Sequence, residues 1–210
     1  MPEMPSRRGR ETRERLLDVA EAAVLSQGFA ATSIEGLIAT AGVTKSGFFY
    51  HFRDKAELAK ALLVRYLEND RELLDEIFRR ADELHDDPLH GFLVGLKLFA
   101  EMMANLETGH PGCLAASFAY QDQLFNREIR RLNADGLMAW RVRFRERFDR
   151  IAKTYPPHAP VDLNALADMA TALVEGGIVL GRALNDPTIL PRQIMLYRDY
   201  VRTIFRLQAA

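Results

Sequence analysis

Cysteine and long apolar runs are what this sequence has least of. It contains one cysteine, Cys113, which excludes an internal disulfide framework and is typical of proteins from a reducing compartment. No apolar run reaches the ~18 residues that a membrane-spanning helix requires, and the arginines near the start precede no apolar stretch of the kind found in a signal peptide. We therefore expect a cytoplasmic protein with no membrane partner.

An excess of one charge is also absent. The chain has 28 basic and 29 acidic residues and a net charge of −1, which by itself does not favour a nucleic-acid partner. Residues 1–15, however, contain five arginines against three glutamates. This basic segment predicts that only one end of the chain meets an anionic partner, and a solvated tail is the alternative interpretation.

Strand-like alternation is nearly absent as well. Apolar residues recur at intervals of three and four, which predicts an all-α chain of about nine helices. The exception is 141–148, where arginines alternate with other residues and would also suit a strand with a basic face. A helix there aligns Trp140, Phe144 and Phe148 on one stripe and continues the pattern on both sides. We therefore predict a helix whose arginines form a solvated surface rather than a second nucleic-acid site.

Two breaks define the first two helices. The first helix is predicted over 11–27 and ends at Gly28, since glycine adopts the left-handed C-terminal conformation without strain. Thr32, with Glu35 three residues later, predicts a capping box at the start of a short second helix. The run Ala41-Gly42-Val43 ends that helix.

The later helices are marked by threonine, aspartate and proline. Thr44 predicts the cap of a third helix over 45–52, and Asp54 with Glu57 predicts the cap of a fourth that extends to residue 84. Asp87 followed by Pro88 likewise predicts the cap and first turn of the fifth helix. The remaining helices are predicted over 88–107, 113–121, 125–153, 162–185 and from the turn around Pro191 onward.

The first three helices have the pattern of a helix-turn-helix, in which two short helices joined by a glycine-containing turn follow a longer one. The last helix of such a unit enters the major groove and carries donors at its N-terminal end, as Thr44, Lys45 and Ser46 would. Phe48 and Phe52, four residues apart, would anchor that helix inward. The side chains expected to project toward the duplex are Phe49, Tyr50 and His51.

Residues 32–58 resemble the DNA-binding segment of the TetR/AcrR family of bacterial regulators. The matching positions are Ile38-Ala39, Ala41-Gly42-Val43, Thr44-Lys45, Tyr50-His51-Phe52, Lys55 and Leu58. The resemblance implies a helix-turn-helix domain over 1–54 and a helical ligand-binding and dimerisation domain over 55–210.

Carried over residue by residue, the resemblance implies phosphate contacts from Ser33, Thr44, His51 and Lys55. It implies that Lys45, Ser46, Gly47 and Tyr50 face the bases. The chain departs from the family at Phe49, where tyrosine is common, so Phe49 is expected to offer only an apolar contact. Gly36 is a second departure that costs ~1 kcal/mol of helix propensity and suggests close helix packing.

The resemblance also implies an effector cavity among the fourth to seventh helices. A stripe of methionines and aromatic residues is more often plain core at any single position, but binding pockets are mostly apolar too, so we expect some of the set to line a cavity. The candidate lining residues are Phe99, Met102, Met103, Phe118, Tyr120, Gln121, Phe125, Trp140 and Phe144.

Dimerisation is implied through the eighth and ninth helices. Gly176, Gly177 and Gly181 would let a second helix approach closely, since each glycine in a helix interior otherwise costs ~1 kcal/mol. The ninth helix has an apolar stripe that needs burial, which a dimer would supply. The stripe consists of Ile194, Tyr197, Val201, Ile204 and Phe205.

The helix-turn-helix pattern predicts DNA binding. Together with it, the resemblance implies a ligand-responsive repressor that binds a palindromic double-stranded operator as a homodimer and uses no cofactor. An enzyme is not expected, because the five histidines include no metal-spaced pair on one helical face. Cys113, after His110, could be a reactive thiol at a helix N-terminus, but a buried structural cysteine is the simpler interpretation. A helical adaptor that binds only protein is the alternative, and it leaves the donors between Thr44 and Lys55 unexplained.

Overall fold

The computed structural model describes residues 7–205. In that part of the chain there are nine α-helices, one 3₁₀ turn and no strand, which confirms the all-α prediction. The helices are α1 (Arg7–Ala31), α2 (Ile34–Ala41), α3 (Lys45–His51), α4 (Lys55–Leu84), α5 (Pro88–Ala104), α6 (Leu114–Tyr120), α7 (Arg127–Thr154), α8 (Leu163–Leu184) and α9 (Ile189–Ile204), and the 3₁₀ turn is Asp122–Leu124.

The chain divides into two compact units. The first comprises the residues up to 69 together with 113–134, and the second comprises 70–112 together with the residues from 135 onward. This division differs from a boundary at 54/55 because α6 and the start of α7 belong to the core around α1. Leu114, Phe118 and Ile129 are buried in one cluster with Leu16 and Leu17 of α1. Both α4 and α7 contribute residues to each unit.

The first helix is longer than predicted but breaks where predicted. Gly28 has φ 81° and ψ 160°, which is not helical, and helical geometry resumes beyond it as far as Ala31. The prediction that Thr32 caps α2 is wrong. Ser33 is the cap, and its Oγ accepts the Gly36 N–H at 3.0 Å. Thr32 is instead buried, and its hydroxyl donates to the Gly28 carbonyl at 2.9 Å.

The other predicted caps are confirmed. Thr44 Oγ1 accepts the Gly47 N–H at 3.1 Å, and Asp54 Oδ1 accepts the Glu57 N–H at 2.8 Å. Asp87 caps α5 by accepting the His90 N–H. Asp162, which was predicted only as the start of the eighth helix, also caps α8. Each of these caps satisfies a backbone donor that has no partner inside its own helix.

Gly36 is exposed rather than packed against another helix. A Cβ built on it would meet only Ser33 Oγ, at 3.1 Å. The expectation of close helix packing at this position is therefore wrong.

The arginines of 141–148 lie on a helix, as predicted, and their partners are acids of the second unit. Arg141 forms a bidentate pair with Asp168 at 2.6 and 2.7 Å. Arg147 forms another with Asp82 and also lies over the Phe78 ring, 4.1 Å from its centroid. These charges bind α7 to α4 and α8, which supports a structural rather than a nucleic-acid role.

The apolar stripe of α9 is buried without a second subunit. Ile194, Tyr197, Val201 and Phe205 are buried within the chain itself, because α9 packs against α5 and α8. Gly177 belongs to the same packing, since a Cβ there would lie 3.0 Å from Leu190 Cα. The assignment of this stripe and of Gly177 to a dimer contact is therefore wrong.

The exposed apolar face of this region lies on other residues. It is formed by Val179, Leu180 and Leu184 of α8 and by Leu196 and Tyr200 of α9. In the described part of the chain, α8 is also the one helix long and apolar enough to cross a membrane, with mean hydropathy 1.4 and 28% of that window buried. This qualifies the expectation from the sequence, although a single such helix is weak evidence of a membrane span.

Candidate nucleic-acid interface and effector site

The third helix is held by two buried aromatic side chains. Phe48 and Phe52 are almost completely buried in the core of the first unit, as predicted from their spacing. Their ring centroids lie 5.7 Å apart, and the Arg13 guanidinium lies over the Phe52 ring at 5.4 Å. This anchoring fixes which face of α3 points outward.

The outward face of α3 carries the side chains predicted to meet DNA. Tyr50 is 73% exposed, Phe49 is exposed beside it, and Lys45 and Ser46 are exposed at the N-terminal end. Thr44 Oγ1 and Ser46 Oγ form a hydrogen bond of 3.1 Å, so the cap also positions the neighbouring hydroxyl. The structure thus brings these predicted residues together on one short helix.

Gly47 lies within the cap of α3. A Cβ added to it would lie 3.2 Å from Thr44 Oγ1, a contact of the same kind as the one between Gly36 and Ser33. Gly47 thus leaves this position in the first turn of α3 without a side chain.

His51 ends α3 beside two cationic side chains that sequence reasoning did not assign to the site. Burial and the positive charge of Arg13 lower the pKa of His51, so it is neutral at pH 7 and can donate only one ring N–H. Arg53 follows α3 with a highly exposed side chain. A signal existed in the sequence, because Arg13 lies in the basic segment and Arg53 directly follows the helix.

Lys55 has an intramolecular role in addition to the one predicted. Its Nζ donates to the Phe29 carbonyl at 2.7 Å and lies 4.3 Å from the centroid of the Phe29 ring. Burial lowers the pKa of Lys55. The ammonium therefore holds the start of α4 against the end of α1, as cations commonly do at helix C-termini. Its phosphate contact stays a prediction.

The predicted effector residues fall into two groups, one in each unit. In the first unit Phe118 and Phe125 stack with centroids 4.3 Å apart, and both rings approach Phe29. Gln121 Oε1 accepts the Ala30 N–H at 3.1 Å, whereas Tyr120 is 82% exposed. Three of these four residues thus bind α6 and the segment after it to the end of α1.

In the second unit the aromatic residues gather around the single tryptophan. Trp140 stacks on Phe144 at 5.7 Å and meets Phe99 at 6.2 Å, with a steeper angle between the rings. Phe99, Phe144 and Met103 are buried, while Met102 is half-buried. Phe99, Met103 and Phe144 thus belong to the core of the second unit, whereas Trp140 and Met102 are only partly buried.

Asp70 is the polar member of this group and was not predicted. Its Oδ2 accepts the Trp140 Nε1–H at 2.6 Å, and burial raises the pKa of Asp70. Nothing in the sequence distinguished it from the other acids of α4, because its partner is 70 positions away.

No group of three or more His, Cys, Asp or Glu side chains within 7–205 is arranged to hold a metal ion. Cys113 is half-buried and caps α6, with its Sγ accepting the Ala116 N–H at 3.4 Å.

The segment around these helices matches a family of known proteins. Residues 16–62 match the model of the bacterial regulatory proteins of the tetR family. Over 81 residues the chain is 38% identical to the HTH-type transcriptional regulator TtgR of Pseudomonas putida, a stretch that covers 38% of this chain and 36% of TtgR. The chain thus matches about a third of the length of that relative.

Two further proteins are similar over nearly the whole chain. The uncharacterised HTH-type transcriptional regulator YxaF of Bacillus subtilis is 24% identical over 184 residues, covering 86% of this chain and 90% of YxaF. A solved TetR transcriptional regulator from Chloroflexus aurantiacus superposes with a TM-score of 0.79 at 27% identity, covering 97% of this chain and 100% of that one.

The two kinds of similarity agree with the fold. The family match runs from within α1 to within α4, and the structural likeness extends through the helices that follow. Proteins of this family and fold are transcription regulators and not enzymes. The chain is thus similar to the TetR family of transcriptional regulators, in sequence over residues 16–62 and in fold over nearly its whole length.

Proposed function

We propose that this chain is a transcriptional repressor that binds a palindromic double-stranded operator as a homodimer and leaves it when a small, mainly apolar effector binds. In this proposal residues 1–54 form the DNA-binding domain and 55–210 form the ligand-binding and dimerisation domain. The DNA-binding residues are Ser33, Thr44, Lys45, Ser46, Gly47, Phe49, Tyr50, His51 and Lys55.

The observation that carries the proposal is the outward face of α3. Lys45, Ser46 and Tyr50 are exposed on a seven-residue helix whose other side is anchored by buried phenylalanines. A short rigid helix with donors at its N-terminal end fits the major groove, where side chains read base edges. Ser33 and Thr44 also fit phosphate contacts, because a hydroxyl that accepts at a cap still carries a proton to donate.

The proposal of a dimer is supported by the exposed apolar residues on α8 and α9. Val179, Leu180, Leu184, Leu196 and Tyr200 would expose apolar side chains to water in a single chain. A twofold axis through this face would bury them and would present two copies of α3 to two half-sites. The operator is then expected to be palindromic.

All nine predicted lining residues remain candidates for effector binding, and Trp140 is the strongest of them. Trp140 combines an aromatic wall with a polar partner, Asp70, on α4. At 1.5 Å per residue, the 30 residues of α4 extend about 45 Å, and they contribute to both units. A ligand that displaces the C-terminal half of α4 would therefore change the distance between α3 and the α3 helix of the second subunit.

The proposal is tested by selection from fragmented genomic DNA of the source organism with purified full-length protein. The expected result is enrichment of a fragment with two inverted half-sites whose centres lie about 34 Å apart. The Tyr50→Ala variant serves as the control and should enrich that fragment far less. If the wild-type protein enriches no fragment above the input, it is not a sequence-specific regulator.

A further inference from the structure

Arg53 lies at the junction of α3 and α4, between two residues to which the resemblance assigns phosphate contacts, His51 and Lys55. The resemblance implies no role for Arg53 itself. Its side chain is nevertheless 82% exposed. Arg53 is therefore a permanent cation at this junction that the proposed function leaves without a task.

The backbone of Arg53 is fixed at the start of α4. Asp54 Oδ1 accepts the Glu57 N–H at 2.8 Å, and Glu57 Oε2 accepts the Arg53 N–H at 2.7 Å. This reciprocal pair of bonds is a capping box, which determines how the chain enters a helix. The preceding residue, Phe52, is buried. The Arg53 side chain thus extends into solvent from an anchored backbone.

The guanidinium of Arg53 is hydrogen-bonded at one of its three nitrogens. Its Nε donates to Asp54 Oδ2 at 3.3 Å. Within residues 7–205 neither of its Nη groups donates a hydrogen bond, so four N–H donors remain. A pair between exposed neighbouring side chains contributes little in water, so an external anion can compete with Asp54 for this guanidinium.

The other basic side chains around this junction are occupied or uncharged. The Lys55 ammonium is bonded to the end of α1, and the Arg13 guanidinium lies over the Phe52 ring. His51 is neutral at pH 7, because burial and the charge of Arg13 lower its pKa. Among these side chains, Arg53 has the positive charge that is most accessible to an external anion.

We propose that Arg53 is an additional phosphate-binding residue, whose Nη groups hold one DNA phosphate beside the end of α3. A guanidinium presents paired N–H donors in one plane, a geometry that matches two phosphate oxygens. The contact adds one neutralised phosphate in each subunit to those that the resemblance implies. This inference rests on the proposed function, because it concerns the same complex with DNA.

The test compares the salt dependence of DNA binding by full-length Arg53→Gln and wild-type protein. Fluorescence anisotropy is measured on the genomic fragment that the wild-type protein selects. One contact in each subunit of a dimer should lower the slope of log affinity against log salt concentration by about 1.8. From about 50 to 200 mM salt the variant should therefore lose about tenfold less affinity than the wild type. An unchanged slope in Arg53→Gln would overturn the proposal.

Two further variants serve as controls. Arg53→Lys keeps the charge and should keep most of the wild-type slope, while its affinity at a fixed salt concentration falls because the paired donors are lost. Arg150→Gln removes the same charge from an exposed residue of α7 in the second unit and should leave the slope unchanged. Equal losses of slope in Arg150→Gln and Arg53→Gln would indicate general attraction to DNA instead of a contact, and would overturn the proposal.

Folding and the proposed function are checked separately. The Arg53 side chain is hydrogen-bonded only to Asp54 in the described part of the chain, so Arg53→Gln should melt at the wild-type temperature and its loss of slope reports on DNA contact. A flat salt dependence of the wild-type protein would overturn the proposed function and this inference together. A steep wild-type slope that Arg53→Gln leaves unchanged would overturn this inference alone.

Discussion

Tyr50 and Lys55 lie close in the sequence but have different surroundings. Tyr50 is exposed on the outer face of α3, whereas the Lys55 ammonium is bonded to the end of α1. Tyr50→Ala should therefore reduce the preference for operator over unrelated DNA by about tenfold or more, since a base contact contributes about 1–3 kcal/mol of discrimination. Competition binding with operator and scrambled duplexes measures this preference.

Lys55→Ala is the matched comparison. It should weaken binding to operator and scrambled DNA by similar factors. A phosphate contact does not depend on the DNA sequence, and neither does the placement of α1. A change of sequence preference in Lys55→Ala together with an unchanged preference in Tyr50→Ala would show that the assigned docking geometry is wrong.

Asp87 gives a prediction about acid. Burial alone would raise the pKa of Asp87, but hydrogen bonds from the His90 N–H, Tyr155 and the His90 ring outweigh it and lower the pKa from 3.8 to about 2. The folded chain thus binds this proton less readily than the unfolded chain. The stabilisation is complete above pH 3.8 and is lost as the pH falls toward 2.

Asp87→Asn should accordingly lower the free energy of unfolding by about 1–2 kcal/mol at pH 7. The difference from wild type should shrink as urea unfolding is repeated from about pH 4 down to about pH 2. Asp86→Asn, the exposed neighbour, is the control and should change little at any pH. A difference that grows on acidification would contradict the cause given for the pKa.

The ends of the helices were largely predictable from the sequence. The caps at Thr44, Asp54, Asp87 and Asp162 were predictable because a cap depends on residues two or three positions away. The one failure, Thr32 in place of Ser33, is a shift of one residue between two side chains with the same chemistry. The bounds of α3 were predictable for the same local reason.

Burial between distant segments was not predictable in this way. The stripe of α9 was correctly identified as apolar, but a sequence pattern does not tell whether the covering surface comes from the same chain or from a second copy. The bonds from Lys55 to Phe29 and from Trp140 to Asp70 join residues 26 and 70 positions apart. Such partners depend on tertiary packing and produce no periodic pattern in the amino-acid sequence.

The adjacent glycines of α8 distinguish the effect of tertiary packing from the effect of local helix propensity. A Cβ at Gly177 meets Leu190, while a Cβ at Gly176 has nothing within 4 Å. Gly177→Ala should lower the free energy of unfolding by about 1–3 kcal/mol through overpacking. Gly176→Ala should leave it unchanged or raise it by up to ~1 kcal/mol through helix propensity. Equal effects in thermal unfolding would contradict the packing described for α8 and α9.

For the molecule as a whole, the proposed dimer depends on the exposed face of α8 and α9. Leu184→Asp should convert the dimer to monomers in light scattering and abolish operator binding, because a charge would be buried in the interface. Leu84→Asp, at a leucine of similar exposure in α4 (62% against 66%), should leave the dimer intact. Wild-type protein that is monomeric at micromolar concentration would show that this face has another purpose.

The most direct test of the central claim is the salt dependence of binding to the selected operator by fluorescence anisotropy. Each neutralised phosphate adds about 0.9 to the slope of log affinity against log salt concentration, so a protein with about six or more phosphate contacts should lose at least about 10³-fold in affinity between about 50 and 200 mM salt. The account predicts this loss for the wild-type dimer. An affinity that stays flat across that range would contradict DNA binding through α3 and the cap residues around it.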